Sequence, residues 1–495
     1  MRKAGVLLPV FSLMSEYGIG DFGQGARYFI DYVREAGFKI WQILPITTIG
    51  AGNSPYSGLS AFAGNPLFID LSELSSELLS KEEKASFKVN SPYRVDYNLV
   101  KEKKGEALRL AYSRIGKETE LEVEAFKKAN AFWIEDYALF MAISEERGVE
   151  WQNWGDDLKF RKPSKIKAEK ARLAQKLNYY YFEQYLFFKQ WSELKAYANA
   201  RGIEIFGDMP IYVSYNSPDV WANAEVFSLD EDLVPKEVAG VPPDYFAEDG
   251  QLWNNPLYDW ERNEKDGFSW FVKRIEHSLK LYDILRIDHF RGLCEYWAVP
   301  AGSKPAKIGE WKKGPGMALW KAVSKKVKEP KIVAEDLGII DEKVVDYLEK
   351  TGFPGMRVMQ FAFDGDRNNV HLPYNYAKNT FAYSATHDNN TTLGWLYELD
   401  SETRRGILDF LEIGEHEWGI GGRYCKSTRA VIKMLMASSA NVVIIPLQDL
   451  TGYGADTRIN IPGEPDGNWE FRATMSTLDD VDVDFVRRSI GKYGR

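Results

Sequence analysis

The sequence predicts an eight-stranded α/β barrel of the TIM (β/α)8 type, with long insertions after its second and third strands. Eight short apolar runs are bounded by turn residues, and helix-like stretches separate most of them. Strands that alternate with helices are typical of parallel sheets joined by crossover helices. A count of eight favours a closed barrel over an open sheet.

The strands can be placed in chain order from these apolar runs. The first apolar run, AGVLLPVF after MRK, is similar to a signal peptide. No small-residue cleavage pattern follows it, so we predict a strand instead. No glycine-rich dinucleotide or phosphate fingerprint follows it, which disfavours a nucleotide-binding sheet. The predicted strands are residues 5–10, 39–45, 203–211, 282–288, 331–336, 355–363, 380–386 and 441–447, with helices over 25–36, 320–328 and 341–351.

Two connections are too long for simple crossovers, although we predict one catalytic barrel over residues 1–495. Residues 46–202 are predicted to be a largely helical insertion, and residues 212–281 a loop-rich, aromatic one. Both leave the C-terminal ends of strands, so they would wall the active-site face. Helical spacing joins Phe126, Ala129, Trp133, Tyr137 and Phe140 in one helix, and Leu173, Leu177, Tyr180, Phe187, Trp191 and Leu194 in a later one that Gly202 would end.

Composition and charge narrow the classes of function. The net charge of -9 and the pI near 5.4 argue against a nucleic-acid or anionic-membrane surface, which would be basic. No apolar run of about 18 residues would span a membrane. Cys294 and Cys425 give no metal spacing and no disulfide framework. One bridge between them stays possible, but two ordinary thiols of a cytoplasmic protein are the simpler interpretation.

Aromatic residues are abundant, with 15 Trp, 27 Tyr and 27 Phe making 14% of the chain. Many must fill the core of so large a domain. Several stand in polar loops rich in Gly, Pro and Asn, where core packing explains them less well. Because sugar rings have apolar faces that stack on aromatic rings, such loop residues suit a carbohydrate groove.

Three carboxylates stand where a barrel places its chemistry, at the C-terminal ends of predicted strands. Asp288 ends the fourth strand, Glu335 ends the fifth and Asp388 follows the seventh. Two carboxylates that face each other across a bond act as nucleophile and acid/base in glycoside chemistry. The sequence therefore indicates a sugar-processing enzyme.

Asp288 is the candidate nucleophile because Arg286 lies two residues before it and shares its face of the strand. A neighbouring guanidinium favours the ionised carboxylate, so we expect a lowered pKa for Asp288. A structural ion pair in the barrel interior is an equally good explanation of this segment alone.

Glu335 has no Lys or Arg two residues away, since Val333 and Leu337 stand there. An apolar setting would raise the pKa of Glu335 and keep it protonated, as a general acid requires. A salt-bridged or helix-capping acid is the alternative, and the following Asp336 could serve as such a cap.

Asp388 lies in the run His387-Asp388-Asn389-Asn390, a set of donors and acceptors that suits sugar hydroxyls. An asparagine-rich turn is the plainer explanation. Asp208 ends the third strand and would point toward the same opening, although a turn residue before Met-Pro explains it equally well. Four acids at the strand ends of one barrel carry the argument together.

At this point the chain resembles the 4-alpha-glucanotransferase (amylomaltase) family of the alpha-amylase clan over nearly its full length. The motifs that carry the resemblance are YGIGDFG (17–23), SPYSGLSAFAGNPLFIDL (54–71), FGDMPIYV (206–213), GVPPDYFAEDGQLWNNPLYDW (240–260), LRIDHFRG (285–292), VAEDLG (333–338), MRVMQFAFD (356–364), ATHDNNTT (385–392), and the NIPG and GNW of 460–469.

The resemblance implies that Asp288 is the nucleophile, Glu335 the acid/base, and Asp388 with His387 a group that binds and distorts the donor sugar. It also implies contacts to the glucan by other residues. Arg286 and Asp208 would hold the nucleophile and sugar hydroxyls, Tyr56 would stack on the reacting glucose, Trp253 with Asp244, Tyr245 and Glu248 would cover the acceptor side, and Phe361 and Asn460 would line the groove.

The implied reaction is retaining transfer of α-1,4-glucan segments from a glucan donor to glucose or a maltooligosaccharide, without metal or organic cofactor. An α-1,4-glucan hydrolase of the amylase type would use the same carboxylates; the acceptor loop favours transfer. A non-catalytic glucan-binding barrel is a third possibility, against which the intact Asp288, Glu335 and Asp388 speak. Donor length, cycloamylose formation, thermal stability and oligomeric state are not set by the sequence.

Overall fold

The computed structural model describes residues 2–243, 249–303 and 306–495, and the following elements belong to these ranges. The strands are β1 Lys3–Leu7, β2 Ile40–Gln42, β3 Glu204–Met209, β4 Glu237–Val241, β5 Gln251–Pro256, β6 Ile284–Ile287, β7 Glu295–Pro300, β8 Glu310–Lys313, β9 Ile332–Ala334, β10 Gly355–Val358, β11 Thr380–Tyr383 and β12 Val442–Pro446.

The helices surround these strands and fill the insertions. They are α1 Gln24–Glu35, α2 Lys81–Ser86, α3 Tyr97–Tyr112, α4 Lys117–Ala129, α5 Ile134–Arg147, α6 Asp156–Lys159, α7 Pro163–Arg172, α8 Ala174–Ala200, α9 Pro218–Ala222, α10 Trp260–Lys265, α11 Ser269–Leu281, α12 Met317–Val323, α13 Glu342–Thr351, α14 Thr392–Glu398, α15 Ser401–Phe410, α16 Lys426–Ala437, α17 Leu447–Thr451, α18 Met475–Asp479 and α19 Val483–Lys492.

Eight parallel strands form the barrel in the order β1, β2, β3, β6, β9, β10, β11 and β12, and β12 pairs with β1. At the remaining junction, the N–H of Ala334, the last residue of β9, donates to the carbonyl of Pro354 before β10 at 2.9 Å. The predicted fold is confirmed, and each of the eight predicted strands overlaps an observed one. The run predicted over 355–363 ends early, because Met359–Phe361 turns into a 3-10 helix.

The barrel strands are buried along almost their whole length, as is typical of parallel strands covered by helices. Gly207 in β3 shows how closely the interior packs. A Cβ atom there would lie 2.1 Å from the ring of Tyr282, so only glycine fits between β3 and that aromatic side chain. The tight packing fixes the register of β3 against β6, which brings Asp208 opposite Arg286.

One predicted helix is wrong. The stripe from Phe126 to Phe140 is divided between α4, which ends at Ala129, and α5, which begins at Ile134. Asn130 causes the break, because its side-chain amide donates to the carbonyl of Phe126 at 2.9 Å and its oxygen accepts from the indole of Trp133 at 3.3 Å. Asparagine competes with helical hydrogen bonds in this way.

The later stripe forms a single helix, α8, and Gly202 follows it with φ of 74°, as the capping argument predicts. The helix predicted over 320–328 begins earlier, at Met317, and ends at Val323. Glutamines on α8 hold the loop that leads to the active-site face. Gln184 makes two hydrogen bonds with the backbone of Gly64 (2.7 and 2.9 Å), and Gln190 makes two with Asp70 (2.7 and 3.0 Å).

A second sheet, which the sequence did not predict, lies beside the barrel. It is antiparallel, in the order β5, β4, β7 and β8, and β7 and β8 come from a third excursion after β6. Trp297 and Trp311 pair across β7 and β8 with ring centroids 5.2 Å apart. These strands are half exposed and lack a clear alternation of polar and apolar residues, so periodicity did not reveal them.

The N-terminal segment forms β1, as predicted, and Cys294 and Cys425 are both free thiols. Within the described ranges, no helix is long and apolar enough to cross a membrane.

Candidate active site

The C-terminal ends of neighbouring barrel strands gather the predicted acids. Asp208 lies in β3, Asp288 directly follows β6, and Glu335 directly follows β9. The strands β3, β6 and β9 are consecutive in the sheet, with Asp208 opposite Arg286 and Arg286 opposite Val333. Asp388 comes from the loop after β11. The sheet order therefore brings together residues that are far apart in sequence.

Arg286 is the centre of this cluster. Its buried guanidinium contacts Asp208 Oδ2 at 2.5 Å and Asp288 Oδ1 at 2.9 Å. The hydroxyl of Tyr56 also donates to Asp208 Oδ2, at 2.7 Å. Arg286 and Asp288 share a face of β6, as their spacing predicts. One cation thus holds two carboxylates in fixed positions.

The predicted pKa of Asp288 requires a correction. Burial raises the pKa of this carboxyl to about 6, because the cost of removing its charge from water outweighs the attraction of Arg286. The charges of Asp208 and Asp388 raise it further. The sequence revealed Arg286 and the other acids, but not how strongly burial and the charges of those acids act on Asp288. Asp288 is still mostly ionised at neutral pH.

Glu335 agrees with its prediction, since its pKa is raised to about 8. Burial is the main cause, Arg286 opposes it, and the charge of Asp288 adds to it. The two carboxyl oxygens accept hydrogen bonds from backbone N–H groups, Oε2 from His289 at 2.7 Å and Oε1 from Leu337 at 2.9 Å. Its position is therefore fixed by backbone donors.

The alternative that Asp336 caps a helix is wrong. The oxygens of Asp336 bind β10 instead, with Oδ1 accepting from the N–H of Met356 at 2.6 Å and Oδ2 paired with Arg357 at 2.7 Å. Asp336 thereby strengthens the β9–β10 junction of the barrel, directly after Glu335.

Asp388 has the opposite electrostatic balance from Glu335. Burial alone would raise its pKa, but His387, Asn460 and Arg286 lower it to about 2. The imidazole Nε2 of His387 lies 3.2 Å from Oδ2, and the side-chain amide of Asn460 donates to Oδ1 at 2.6 Å. Asp388 is therefore ionised at neutral pH.

Aromatic rings support this second cluster. Tyr56 and His387 stack with centroids 4.9 Å apart and planes 9° from parallel. Trp469 lies behind both rings, at 5.9 Å from Tyr56 and 6.0 Å from His387. One face of Tyr56 is thus occupied by the side chain that contacts Asp388.

The predicted acceptor-side residues are only partly described. Asp244, Tyr245 and Glu248 lie outside the described residues. Trp253 lies in β5, and its ring packs edge to face with the ring of His289, with centroids 4.8 Å apart and planes at 87°. Phe361 ends the 3-10 turn after β10, where it contacts His371 edge to face at 5.5 Å.

Three residues near the carboxylates were absent from the predicted site. Arg458 donates to the backbone carbonyl of Asp388 at 2.7 Å, Trp469 supports Tyr56, and His289 donates to Glu335. Signals for them were present, because Trp469 lies in the GNW motif and His289 directly follows Asp288. Over the described ranges, no group of three or more His, Cys, Asp or Glu is placed to hold a metal ion.

These features define a class of protein. A (β/α)8 barrel whose strand ends carry two partly buried carboxyls, with pKa values near 6 and 8, has the equipment of a glycoside-processing enzyme.

Comparison with known proteins makes the class specific. A family model described as 4-alpha-glucanotransferase matches residues 8–477. The chain is 43% identical over 500 residues to the 4-alpha-glucanotransferase of Aquifex aeolicus, with 100% of both sequences covered. It is 42% identical to that of Clostridium butyricum, covering 99% of this chain and 100% of the relative. The amylomaltase from Streptococcus agalactiae in complex with acarbose superposes with a TM-score of 0.95, at 38% identity over 100% of each chain.

The chain belongs to the 4-alpha-glucanotransferase family. The predicted family and enzyme class are confirmed, and the hydrolase alternative is not favoured because these full-length relatives are transferases.

Proposed function

We propose that Asp288 and Glu335 carry out retaining transfer of α-1,4-glucan segments, with Asp288 as nucleophile and Glu335 as acid/base. The observation that carries this assignment is the hydrogen bond from the N–H of His289 to Glu335 Oε2. It ties the residue after one carboxylate to the other carboxyl group. In retaining enzymes the two groups lie about 5–5.5 Å apart, so that both reach one glycosidic bond.

In the first step, the Asp288 carboxylate attacks the anomeric carbon of the donor sugar. The bond between that carbon and the glycosidic oxygen breaks, and Glu335 gives its proton to the leaving oxygen. A covalent glucosyl ester on Asp288 and a shortened glucan with a free 4-hydroxyl result. The pKa values support this division of roles, because Asp288 is mostly ionised and Glu335 mostly protonated at neutral pH.

In the second step, Glu335 has lost its proton and acts as a base. It takes the proton from the 4-hydroxyl of an incoming glucose or maltooligosaccharide, whose oxygen attacks the anomeric carbon. The ester bond to Asp288 breaks, its electron pair returns to the carboxylate, and a new α-1,4 bond forms. Two inversions at one carbon give net retention.

Other residues hold the donor sugar in this scheme. Asp388 is the ionised group that binds sugar hydroxyls and favours the distorted ring, with Asn460 and His387 fixing its two oxygens. Tyr56 offers its remaining ring face to the sugar, while Arg286 and Asp208 fix the nucleophile and contribute polar contacts. The distorted ring resembles the transition state more than the free sugar does.

The acceptor side determines transfer rather than hydrolysis, because a sugar must compete with water for the intermediate. Trp253 supplies aromatic surface there, and we assign Asp244, Tyr245 and Glu248 to the same role on the strength of the family motif. Phe361 lines the groove. Binding energy from an acceptor sugar on these residues would favour transfer over attack by water.

Incubation with maltotriose tests the function directly, by following free glucose and the product ladder together. Glucose with maltotetraose and longer chains is the expected result. If only shorter sugars form while reducing ends increase, the enzyme is a hydrolase, and absence of turnover would contradict a catalytic role. Asp288→Asn is the matched control, since it keeps the shape of the side chain but removes the nucleophile.

A further inference from the structure

His289 has a backbone conformation that few residues other than glycine adopt. Its φ of 50° and ψ of 49° lie in the left-handed region, directly between Asp288 and the 3-10 turn Phe290–Leu293. Histidine enters this region more readily than bulky or branched residues, but the conformation still has an energetic cost. Such a residue persists where the surrounding structure holds it in place.

The left-handed turn directs consecutive backbone N–H groups at one residue. The N–H of His289 donates to Glu335 Oε2 at 2.7 Å, and the N–H of Phe290 donates to the backbone carbonyl of Glu335 at 3.2 Å. The N–H of Glu335 in turn donates to the carbonyl of Ile287 at 3.1 Å. The turn that follows Asp288 is therefore bound to Glu335 through both its backbone and its carboxyl group.

The ring of His289 is held from outside the barrel strands. The ring centroid of His289 lies 4.8 Å from that of Trp253 in β5, in an edge-to-face arrangement, and 6.4 Å from that of Tyr212. A Cβ atom at Gly292 would come within 3.1 Å of His289 Cδ2, so space on that side is also limited. Its Nε2 atom is buried and has no hydrogen-bond partner among the described residues. The contacts that fix this ring are therefore packing contacts.

We propose that His289 is a positioning residue of the transfer reaction, whose ring, packed against Trp253, holds the turn that fixes the Glu335 carboxyl relative to Asp288. The inference rests on the proposed roles of Asp288 and Glu335. It adds a physical link between two parts of the chain. Through His289, the strand that carries Trp253 on the acceptor side is one side chain away from the acid/base.

The test separates proton transfer from nucleophilic attack by using two donors. When maltotriose is the donor, the leaving oxygen must be protonated. When α-maltosyl fluoride is the donor, the fluoride ion departs without being protonated. We expect His289→Ala to lower kcat on maltotriose about 10–100-fold, with KM changed less than about threefold, because a misplaced acid acts mainly in the transition state. The rate of the single-turnover burst of fluoride from α-maltosyl fluoride should stay within about threefold of the wild-type rate in His289→Ala, since Asp288 and Arg286 are intact.

Two further substitutions distinguish the effect of the His289 ring from the effect of its backbone conformation. His289→Gly makes the left-handed turn easy but removes the ring, so it should be as impaired on maltotriose as His289→Ala. His289→Asn should recover part of the activity, because asparagine tolerates positive φ and keeps a planar side chain near Trp253. Glu412→Gly is the control: Glu412 has φ of 56° in an exposed turn, and its exchange should leave both donors unaffected.

Normal activity of His289→Gly on maltotriose would overturn the role of the ring. Equal losses on maltotriose and on the fluoride would overturn it as well, because His289 would then support the nucleophile or the whole fold. A failure of the proposed function would give a different result. If Glu335 is not the acid/base, Glu335→Gln would lose the fluoride burst together with maltotriose turnover. Thermal melts of all variants show whether each one is folded.

Discussion

The two sides of the active-site groove shift the pKa of a carboxyl group in opposite directions. The Glu335 cluster consists of Glu335, His289 and Trp253, and the Asp388 cluster of Asp388, His387, Asn460 and Tyr56. Glu335 has a pKa of about 8 and Asp388 one of about 2, although both are partly buried. Burial raises the pKa in both cases, so the difference lies in the partners.

Glu335 receives hydrogen bonds from two backbone N–H groups and lies close to the charge of Asp288. Asp388 contacts an imidazole and a side-chain amide, and the charge of Arg286 also lowers its pKa. Arg286 and the two backbone N–H donors lower the pKa of Glu335, but burial and the charge of Asp288 raise it by more. At Asp388, His387, Asn460 and Arg286 together outweigh the effect of burial. One side is therefore prepared to give a proton, and the other to remain charged.

The largest expected effect is on turnover of two donors that differ in their leaving group, and it should distinguish the Glu335 cluster from the Asp388 cluster. Glu335→Gln should lower turnover of maltotriose about 10²–10⁴-fold but spare the fluoride burst with α-maltosyl fluoride, because only the first donor needs a proton. Asp388→Asn should impair both donors, since ring distortion is required whatever leaves. Rapid-quench measurement of each donor checks the contrast. If Asp388→Asn spared the fluoride donor, the two clusters would not differ as proposed.

Asn460 tests the Asp388 cluster alone. Asn460→Ala removes the 2.6 Å hydrogen bond to Oδ1, and a bond to a charged group is worth about 1.5–3 kcal/mol. We expect kcat on both donors to fall about 10–100-fold. Asn468→Ala is the matched control, because Asn468 binds only backbone atoms of Ile461 and Glu464 in the same loop. Equal losses in the two variants would contradict a specific role for Asn460.

The pH profile tests the Glu335 cluster together with Asp288. The proposed mechanism needs Asp288 ionised and Glu335 protonated, so kcat/KM for maltotriose should be bell-shaped with limbs near pH 6 and pH 8. The activity should fall roughly tenfold for each pH unit outside the limbs, and the two values belong to the coupled pair. A profile that stays flat up to pH 10 would contradict the raised pKa of Glu335.

The smallest expected effect is on stability, and it has opposite signs on the two sides. The pKa of Glu335 is raised on folding from 4.5, so stability is lost as pH rises from 4.5 to about 8. Glu335→Gln removes that loss and should stabilise the protein at pH 8 by about 1–2 kcal/mol. Glu349→Gln, an exposed acid in α13, is the control.

For Asp388 the pKa is lowered on folding from 3.8, so its contribution is present above pH 3.8 and is lost as pH falls to about 2. Asp388→Asn should therefore destabilise the protein at neutral pH, by less than about 1 kcal/mol because 45% of the side chain is exposed and solvent screens the charge. Thermal melting of both variants at pH 8 measures the two signs. A Tm shift in the same direction for both would contradict the comparison.

Much of the fold could be predicted because parallel barrel strands are continuous apolar runs between turn residues. The eight strands followed from these runs, and Arg286 and Asp288 were placed on one face by their spacing alone. The helix break at Asn130 and the antiparallel sheet could not be predicted in this way. The first depends on one side chain's hydrogen bonds, and the second on strands that pair across a sequence separation of tens of residues.

The sequence by itself determined the barrel and the family and pointed to three candidate carboxylates, because these depend on apolar periodicity and on motifs in a fixed order. Only the tertiary structure decided how each acid behaves. Asp288 was expected to have a lowered pKa, yet burial and two other acids raise it. The left-handed turn at His289 and its contact with Trp253 also required the fold. Protonation and positioning depend on neighbours that folding brings together from distant segments of the chain.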